Sequence, residues 1–590
     1  MKIQYVLSLE RPQANCIGVE LNIEGNTDES LSITMPAWTP GAYEIADFAR
    51  FVRKLSASSE RGNLEIQKKD KSSWKIICNG AQNLKVRYEV FAHQLDVHSS
   101  YVDQFHAFIN GTSVFFYVEG YKEQSIELII NSPPGWKVST GMEKLSENRF
   151  RSINYDILVD CPIEIGTHRS LFFNVEGKEH EIVLCGHGNE NEDKIKGDVK
   201  KIVEAYLKLF GKLPYKRYVF IYHLIDSNEL PPGGLEHLNS TAIQVDRFCF
   251  TPFEKYKGFL SVTSHEFFHL WNVKRIRPVE LGPFNYKEEN YTNMLWLAEG
   301  FTNYYGYNLL FRAGLVDEKE YFRHLTENVR YYETMPGGRK TSAYESSFDT
   351  WIKLYKPSPN NYNNYVSYYL KGELIGFMLD LKLIEVTRGQ KSLDDLFVYL
   401  MEKYNRDGRG YNEKDLLQAL REVSGYDFTE FFSMNIRKAG QIDFAAEFRK
   451  IGMVLAKGFK RIDDMEPAER PYLGLILKNS GSKFVVDGVI EGTPAESSGL
   501  TAGDELISVN SSRFSERFAK DIMEGGRKVK LDNMSDFLGN ESVKVHFFRA
   551  GTLHDLDVPL VQSPFEYYEA RTDPTPLPDS ERNRKKFISR

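Results

Sequence analysis

The N-terminal part of the chain alternates apolar and polar residues with the two-residue period of a β-strand. Residues 3–9, 19–24 and 84–90 each follow this pattern. Such alternation is typical of antiparallel sheets that bury one face and expose the other to water. The pattern therefore predicts an N-terminal β-sandwich domain over residues 1–165.

Further along the chain, the apolar positions recur with a helical period. Residues 198–210 predict a helix, strand-like runs follow, and the later part of the chain is strongly helical. Asn412 and Asp415 have the spacing of a helix N-cap with its acidic partner, and Gly425 suits the position after a helix end. We therefore expect a multidomain α+β protein whose second domain, residues 166–460, ends in a helical lobe.

Composition narrows the function classes. The 590 residues correspond to three or four domains at roughly 150 residues per domain. A net charge of −7 and a pI near 6.1 argue against nucleic acid as the main partner. The five cysteines are scattered, without a CxxC pair, and their odd number suits a reducing compartment.

The pattern of apolar residues also bears on location. No apolar run approaches the ~20 residues that a membrane span needs. Residues 3–9 resemble a half-buried strand, and Glu10 and Arg11 interrupt any signal-peptide core. We therefore expect a cytoplasmic protein with no membrane partner, or a periplasmic one if a leader had been trimmed.

The strongest chemical signal is the sequence SHEFFHLW. His265 and His269 are four residues apart, so on a helix they lie on one face and are able to share one metal ion. Glu266 would lie beside that ion, where it could take a proton from a metal-bound water. The alternative is an amphipathic core helix with two satisfied histidines.

A zinc hydrolase needs a third protein ligand and an open position for water. Glu299 lies in the apolar and aromatic sequence WLAEGFTNYY, and a buried carboxylate is costly unless it is paired or bound to a metal. Glu299 is therefore the predicted third ligand, with one zinc ion per chain. The alternative is a glutamate placed at a helix start by the helix dipole.

The sequences HEFFHLWNVKRIRP and WLAEGFTNYY resemble the glycyl aminopeptidase family of gluzincin metallopeptidases, relatives of the thermolysin-like aminopeptidases. The long segment 272–295 between the two motifs suits that branch. The resemblance implies a thermolysin-like catalytic domain, a zinc cofactor and aminopeptidase activity on peptides with a free N-terminus. It also implies a preference for N-terminal glycine or alanine.

The sequence PPGGLEH is similar to the G-x-M-E-N loop of these relatives. The resemblance implies that Glu236 binds the free α-amino group of the substrate and that the loop lines the peptide. Gly233 and Gly234 would let the substrate backbone approach closely. Leu235 and His237 depart from the pattern, which bears on fine specificity. The alternative is an ordinary Pro-Gly turn with a solvated acid.

The sequence YYLKG is similar to the segment that supplies the transition-state tyrosine in these relatives. Tyr369 has the matching offset and would donate a hydrogen bond to the developing oxyanion. Tyr368 is the second choice, and a tyrosine of the helix core is the alternative. The basic residues Lys274, Arg275 and Arg277 favour structural ion pairing over contact with a substrate carboxylate.

The last part of the chain resembles a PDZ domain, predicted over residues 466–562. Residues 471–475 are similar to the carboxylate-binding loop, and residues 499–510 to the turn and strand that follow. A PDZ domain adds an extended peptide to a sheet edge and holds its terminal carboxylate on backbone N–H groups, here those of Leu473, Gly474 and Leu475. A fold kept only for packing is the alternative. Residues 563–590 are predicted to be a C-terminal tail, which is mobile over residues 572–590.

The residues thus predict a zinc aminopeptidase in which Glu266 activates water and Tyr369 stabilises the oxyanion. Two other functions stay open. One is a zinc endopeptidase to which the PDZ domain delivers substrates. The other is a catalytically silent scaffold that binds peptide termini.

Overall fold

The computed structural model describes residues 1–405, 409–458, 471–524, 527–564 and 567–589. It divides into two compact units, one formed by Met1–Tyr291, Tyr305–Leu315 and Tyr404–Gly410, the other by Thr292–Tyr304, Val316–Lys403 and Tyr411–Arg590. The division into three domains and a tail stays a prediction, and its boundaries at residues 460 and 466 lie outside the described residues.

The first unit begins with a β-rich region. Its elements are β1 (Lys2–Ser8), β2 (Cys16–Glu24), β3 (Ser30–Thr34), β4 (Val52–Ser59), β5 (Gly62–Leu64), β6 (Ile66–Lys68), β7 (Ser73–Ile77), β8 (Asn83–Phe91), β9 (Tyr101–Val102), β10 (His106–Ile109), β11 (Tyr117–Val118), β12 (Ile126–Asn131), β13 (Lys137–Thr140), β14 (Glu143–Ser146), β15 (Arg149–Ser152), α1 (Tyr155–Val159) and β16 (Ile163–Gly166). They form three sheets, with strand orders β14-β15-β12-β1-β2-β8-β4-β5, β13-β16-β10-β9 and β11-β3-β7-β6.

The three sheets contribute their apolar faces to one hydrophobic core. In β1, every second side chain from Ile3 to Leu7 is buried, as the alternation predicted. Strand β2 pairs antiparallel with β1, so Leu7 lies opposite Val19 and both enter the same core. A one-residue slip of this register would expose the whole apolar face, so burial specifies the pairing.

A five-stranded sheet with two long helices follows in the same unit. Its elements are β17 (Arg169–Val175), β18 (Lys178–Cys185), α2 (Glu192–Phe210), β19 (Arg217–Ile225), β20 (Gly233–Glu236), β21 (Ser240–Asp246) and α3 (Phe253–Phe268). The strand order is β17-β18-β19-β21-β20, which makes β20 an edge strand in the described part of the chain. Helix α2 begins earlier than predicted, because the Asn191 side chain caps it by accepting from the backbone N–H of Lys194.

The second unit is mainly helical before its C-terminal sheet. The elements that follow α3 are α4 (Leu295–Ala298), α5 (Gly300–Arg312), α6 (Glu318–Thr334), α7 (Gly337–Lys340), α8 (Ala343–Phe348), α9 (Thr350–Lys353), α10 (Asn361–Asn364), α11 (Tyr368–Val386), α12 (Leu393–Tyr404), α13 (Glu413–Ser424), α14 (Thr429–Phe432), α15 (Phe444–Arg449) and β22 (Met453–Gly458). Helix α13 confirms its predicted ends, with a capping box of Asn412 and Asp415 and a left-handed Gly425. None of the helices in the described residues has the length and apolar character to cross a membrane.

A further antiparallel sheet lies in the C-terminal part of the chain. The remaining elements are β23 (Pro471–Tyr472), β24 (Leu475–Ser480), β25 (Lys483–Val489), α16 (Pro494–Ser497), β26 (Glu505–Val509), β27 (Ser512–Arg513), β28 (Ala519–Glu524), β29 (Arg527–Asp532), β30 (Ser542–Arg549), β31 (Thr552–Pro559), β32 (Val561–Gln562), β33 (Tyr567–Thr572) and α17 (Ser580–Ile588). The main sheet has the order β28-β29-β24-β25-β26-β30-β31, with β27 paired to β26. The chain is thus a multidomain α+β protein with a β-rich N-terminal region and a helical region.

The prediction of a mobile tail is wrong for the described residues of this segment. Strand β33 pairs antiparallel with β22, and α17 buries Phe587 against the rings of Phe322 and Phe377. The composition of the tail suggested disorder because it is rich in proline and charge. The helix is otherwise mostly charged, and a compositional reading misses the contacts of its buried aromatic ring.

Candidate active site

The two motif histidines lie at the C-terminal end of α3 with their Nε2 atoms 3.0 Å apart. His269 Nδ1 lies 3.0 Å from the backbone carbonyl oxygen of Asn272, to which it donates. This bond places the proton on Nδ1 and leaves the Nε2 lone pair for a metal. Sequence reasoning missed Asn272, because a backbone acceptor leaves no trace in a motif.

Aromatic packing holds this end of α3 in place. The Tyr206 hydroxyl on α2 donates to the backbone carbonyl of Ser264, 2.9 Å away, directly before His265. Phe268 stacks on Tyr305 with ring centroids 4.6 Å apart. Gly306 packs so closely on α3 that a Cβ there would lie 3.3 Å from the backbone of His265. The helix that follows Glu299 therefore rests directly on the first histidine.

Glu266 is buried beside the edge strand β20. A Cβ added to Gly234 would lie 2.1 Å from its Oε1 atom. Gly233 is different, since the nearest atom to a Cβ there is the Val97 side chain at 3.9 Å. Only the second glycine of the predicted pair is therefore required by the Glu266 carboxylate.

Glu236, at the end of β20, belongs to the same buried cluster. Glu236, Glu266 and His269 each offer one ligand atom, and these atoms lie within 4.8 Å of one another. A Cβ on Gly41 would come within 3.0 Å of the Glu236 carboxylate. The turn that contains Gly41 therefore forms one wall around the predicted amine anchor. Two buried carboxylates this close favour a cation near them.

The basic residues after α3 are engaged in structural contacts. Lys274 Nζ donates to Asp160 at 2.8 Å, and Arg275 donates to the backbone carbonyls of Leu238 and Leu270. Burial alone would lower the pKa of Lys274, but the charges of Asp160 and Glu236 raise it above its ordinary value. The contacts of Lys274 and Arg275 agree with the predicted structural role.

Glu299 is 2% exposed and follows α4 directly. Its position is fixed by a close contact of helices, because a Cβ on Gly300 would lie 2.3 Å from the Cα of Gly372. A Cβ on Gly372 would in turn lie 2.1 Å from the carbonyl oxygen of Trp296. The motifs that contain Glu299 and Tyr369 therefore meet through two glycines, which neither motif revealed alone.

The two tyrosines at the start of α11 have different surroundings. Tyr368 is fully buried, and its hydroxyl accepts a hydrogen bond from Thr350 at 3.0 Å. Tyr369 is only partly buried, and its backbone N–H donates to Ser367, which caps the helix. Tyr368 is therefore a core residue, and Tyr369 is the better candidate for a catalytic hydroxyl.

Among the described residues, His265, His269 and Glu299 form a further group whose ligand atoms lie within 4.8 Å of one another. Two imidazole nitrogens and one carboxylate oxygen are the donor set of a catalytic zinc site, which leaves a fourth position for water or substrate. The residues thus fit the predicted metal.

A third such group was not predicted from the sequence. Glu164 lies 2.9 Å from His106 Nδ1 and 3.0 Å from His223 Nε2. Burial alone would raise the pKa of Glu164, but the two histidines hold it at about 2. The hydrogen bonds account for both carboxylate oxygens, so this group links β10, β16 and β19 as a structural tie.

Two family models match parts of the chain. Residues 4–167 match the model of the peptidase M61 N-terminal domain, and residues 258–375 match that of M61 glycyl aminopeptidase. No curated protein matches the chain. The chain is similar to the structure of an aminopeptidase N family protein from Idiomarina loihiensis, with 29% identity, a TM-score of 0.89, and coverage of 98% of this chain and 99% of that chain.

A weaker similarity links the chain to an M1 zinc metallopeptidase from Deinococcus radiodurans, with 10% identity and a TM-score of 0.45, covering 72% of this chain and 90% of that one. The glycyl aminopeptidase match includes the end of α3, Glu299 and Tyr369. The chain therefore matches two family models of M61 peptidases, and it is a metallopeptidase of the aminopeptidase type.

Proposed function

We propose that the protein removes single residues from the free N-termini of peptides, with one zinc ion bound by His265, His269 and Glu299. The observation that carries this proposal is the convergence of Glu236 and Glu266 on His269. Two buried carboxylates beside a histidine pair form a site rich in negative charge. A divalent metal and a substrate ammonium would together balance that charge.

The proposed roles follow from the chemistry of each side chain. When bound, zinc would polarise the scissile carbonyl and lower the pKa of a water molecule. Glu266 accepts the proton of that water and later delivers it to the leaving amine. The bond from His269 to the Asn272 carbonyl keeps the imidazole in the tautomer that presents Nε2. Tyr369 donates a hydrogen bond to the oxyanion.

The end of β20 sets the direction in which the substrate peptide binds. The substrate backbone extends along this edge strand, and Gly234 leaves the space that Glu266 occupies. Glu236 pairs with the α-ammonium group, so the first peptide bond lies at the reacting centre. An internal peptide segment would leave Glu236 without this partner and is disfavoured. The description of the matched family favours glycine as the first residue, and we propose that alanine is accepted as well.

We also assign residues 471–562 to a PDZ domain. Its support is the antiparallel sheet around β24 and β25, and a loop whose three successive N–H groups bind a carboxylate. Gly474 has a left-handed φ of +96°, as such a loop requires.

The test compares Ala-Phe-Gly with its N-acetylated form, using wild type and Glu266→Gln. Wild type should release alanine from the free peptide and leave the blocked peptide intact. The glutamine variant keeps the shape of the side chain but not its basicity, so kcat should fall by about 100-fold or more. Zinc content per chain should not change. Equal cleavage of the blocked peptide would instead establish an endopeptidase, and absence of zinc from wild type would favour a silent scaffold.

A further inference from the structure

The loop before β24 is occupied by a carboxylate of the chain itself. The backbone N–H groups of Leu473, Gly474 and Leu475 donate to Asp532 at 2.6, 2.9 and 2.6 Å. The Asp532 side chain is completely buried. Removing a carboxylate from water is costly unless strong donors replace the water, and three charge-assisted bonds do so here.

The loop is shaped for this carboxylate. Gly474 adopts a φ of +96°, and a Cβ there would lie 2.3 Å from the Thr493 hydroxyl oxygen. No other residue would keep the backbone in this position without displacing Thr493. The three N–H groups therefore point at one place because the backbone is fixed around a glycine.

The strand that ends at Asp532 also fills the neighbouring sheet edge. Strand β29 runs antiparallel to β24, with Leu531 opposite Ile476 and Lys530 opposite Leu477. Strand β28 completes a hairpin with β29. Since β25 pairs with the other side of β24, both sides of β24 are occupied.

Together, the strand and the carboxylate reproduce a known mode of peptide recognition. In that mode, an extended peptide adds to a sheet edge and places its terminal carboxylate on a backbone nest. Here β29 takes the place of the peptide, and the Asp532 side chain takes the place of the terminal carboxylate. Strand β29 ends at Asp532, and the side chain of this residue is the anion that the loop binds.

We propose that the β28–β29 hairpin is a built-in ligand of the C-terminal sheet domain, and that the domain does not accept external peptides while this hairpin is in place. The proposal is independent of the peptidase function. A tethered strand has an effective concentration in the millimolar range, so a free peptide of micromolar affinity would have to be abundant to displace it. The domain thus recognises a strand of its own chain that ends in a carboxylate.

The hairpin can be removed without stretching the backbone. The Asn533 N–H donates to the Phe518 carbonyl at 2.9 Å, so the two ends of residues 519–532 already lie together. Replacing these residues with two glycines in the full-length chain would open the β24 edge and the loop. The probe is the hexapeptide RKVKLD, residues 527–532, with a fluorescent N-terminal label and an amidated C-terminus. The label also blocks aminopeptidase cleavage.

Fluorescence anisotropy should show binding of this peptide to the shortened chain and none to wild type. The matched probe RKVKLN, which lacks the carboxylate, should bind about tenfold more weakly or worse, because charge-assisted hydrogen bonds are lost. Equal binding of RKVKLD to wild type and the shortened chain would overturn the proposal. Equal binding of the two probes to the shortened chain would do the same.

A second variant keeps the proposal testable if the shortened chain does not fold. Asp532→Asn leaves the hairpin intact but removes the anion. Hydrogen exchange at the amides of Leu473, Gly474 and Leu475 should then accelerate by about tenfold or more, since a neutral acceptor replaces a charged one. Asp536→Asn, at a partly exposed position on the same domain, is the matched control. Unchanged exchange in the Asp532 variant would overturn the proposal.

Discussion

Strands β20 and β24 are two places where an extended peptide could join a sheet, and they differ in what already occupies them. In the described part of the chain, β20 ends its sheet, whereas β24 has β29 on one side and β25 on the other. The groups at the two places differ in charge: an anionic side chain lies at one, and hydrogen-bond donors lie at the other. A buried carboxylate of Glu236 ends β20, and a loop of backbone N–H groups precedes β24.

The difference explains why one place is proposed to be catalytic and the other structural. Three N–H groups of the β24 loop bind the Asp532 carboxylate within the chain, although burial still raises the pKa of Asp532 above its ordinary value. The cluster of Glu236 and Glu266 instead gathers two carboxylates around one histidine, and the proposed function balances them with a metal and a substrate amine. In this proposal, the chain itself binds the carboxylate at β24, whereas the carboxylates at β20 select a ligand.

The largest expected effect is loss of the metal at the catalytic place. Glu299→Ala would leave two histidines as protein ligands, which is too few for a stable zinc site. We expect zinc content to fall below about a tenth of an ion per chain, with activity lost in parallel. Atomic emission gives the metal content. Glu288→Ala, at an exposed position, should keep its zinc, and a Glu299 variant that also kept it would exclude this residue as a ligand.

Removing the proposed amine anchor should have the next largest effect. Glu236→Ala would cost about 2–5 kcal/mol of interaction with the substrate ammonium, so kcat/KM for glycyl or alanyl anilides should fall about 30-fold or more. Zinc content should stay constant. The control is Glu229→Ala in the exposed loop before β20. If both variants had wild-type kcat/KM, the anchor role of Glu236 would be wrong.

The two glycines of β20 offer a sharper comparison with a smaller effect. Gly234→Ala would press a Cβ to within 2.1 Å of Glu266 Oε1, whereas Gly233→Ala meets its nearest atom at 3.9 Å. The end of the Glu266 side chain is able to move, so the change should disturb catalysis more than folding. We expect kcat to fall about tenfold in Gly234→Ala only, since small misplacements of a catalytic group are costly. Steady-state kinetics on both variants would decide, and equal kcat values would contradict this view.

The last comparison concerns the stability of the C-terminal sheet domain and leaves catalysis unchanged. Gly474→Ala and Gly481→Ala both place alanine at positive φ, but only Gly474 also has Thr493 within 2.5 Å of the new Cβ. The strained backbone should cost about 1–2 kcal/mol in both variants, and overpacking should add about 1–3 kcal/mol at Gly474. Hydrogen exchange of β24 amides measures the difference. Equal destabilisation by Gly474→Ala and Gly481→Ala would show that the Thr493 side chain moves away from the new Cβ without an energetic cost.

Local patterns predicted the local features. The alternation in β1, the caps of α13 and the four-residue spacing of His265 and His269 each depend on neighbours in sequence, and the structure shows the strand, the caps and the converging histidines. The resemblance to M61 peptidases is confirmed by the family matches. The individual roles of Glu236, Glu299 and Tyr369 stay predictions.

Features that depend on distant parts of the chain were not predictable. The contact between Gly300 and Gly372 joins two motifs that are separated by about seventy residues, and either glycine alone suggests only a flexible position. Asp532 lies almost sixty residues after the loop that it fills, in a segment without a recognised motif. Without knowledge of which strand pairs with β24, its carboxylate looks like any acidic residue near a turn.

The hydrogen bonds among His106, Glu164 and His223 should stabilise the β-rich first unit only over a limited pH range. Because the pKa of Glu164 is held at about 2, the stability it contributes is present at neutral pH and is lost as acid protonates it. Burial alone would lower the pKa of His106, but the charge of Glu164 raises it above its ordinary value. The stability that protonated His106 contributes is therefore lost as the pH rises through this raised pKa. The junction of β10, β16 and β19 should therefore be firmest in mildly acidic solution. Hydrogen exchange of β16 amides measured across pH would show whether it loosens on both sides.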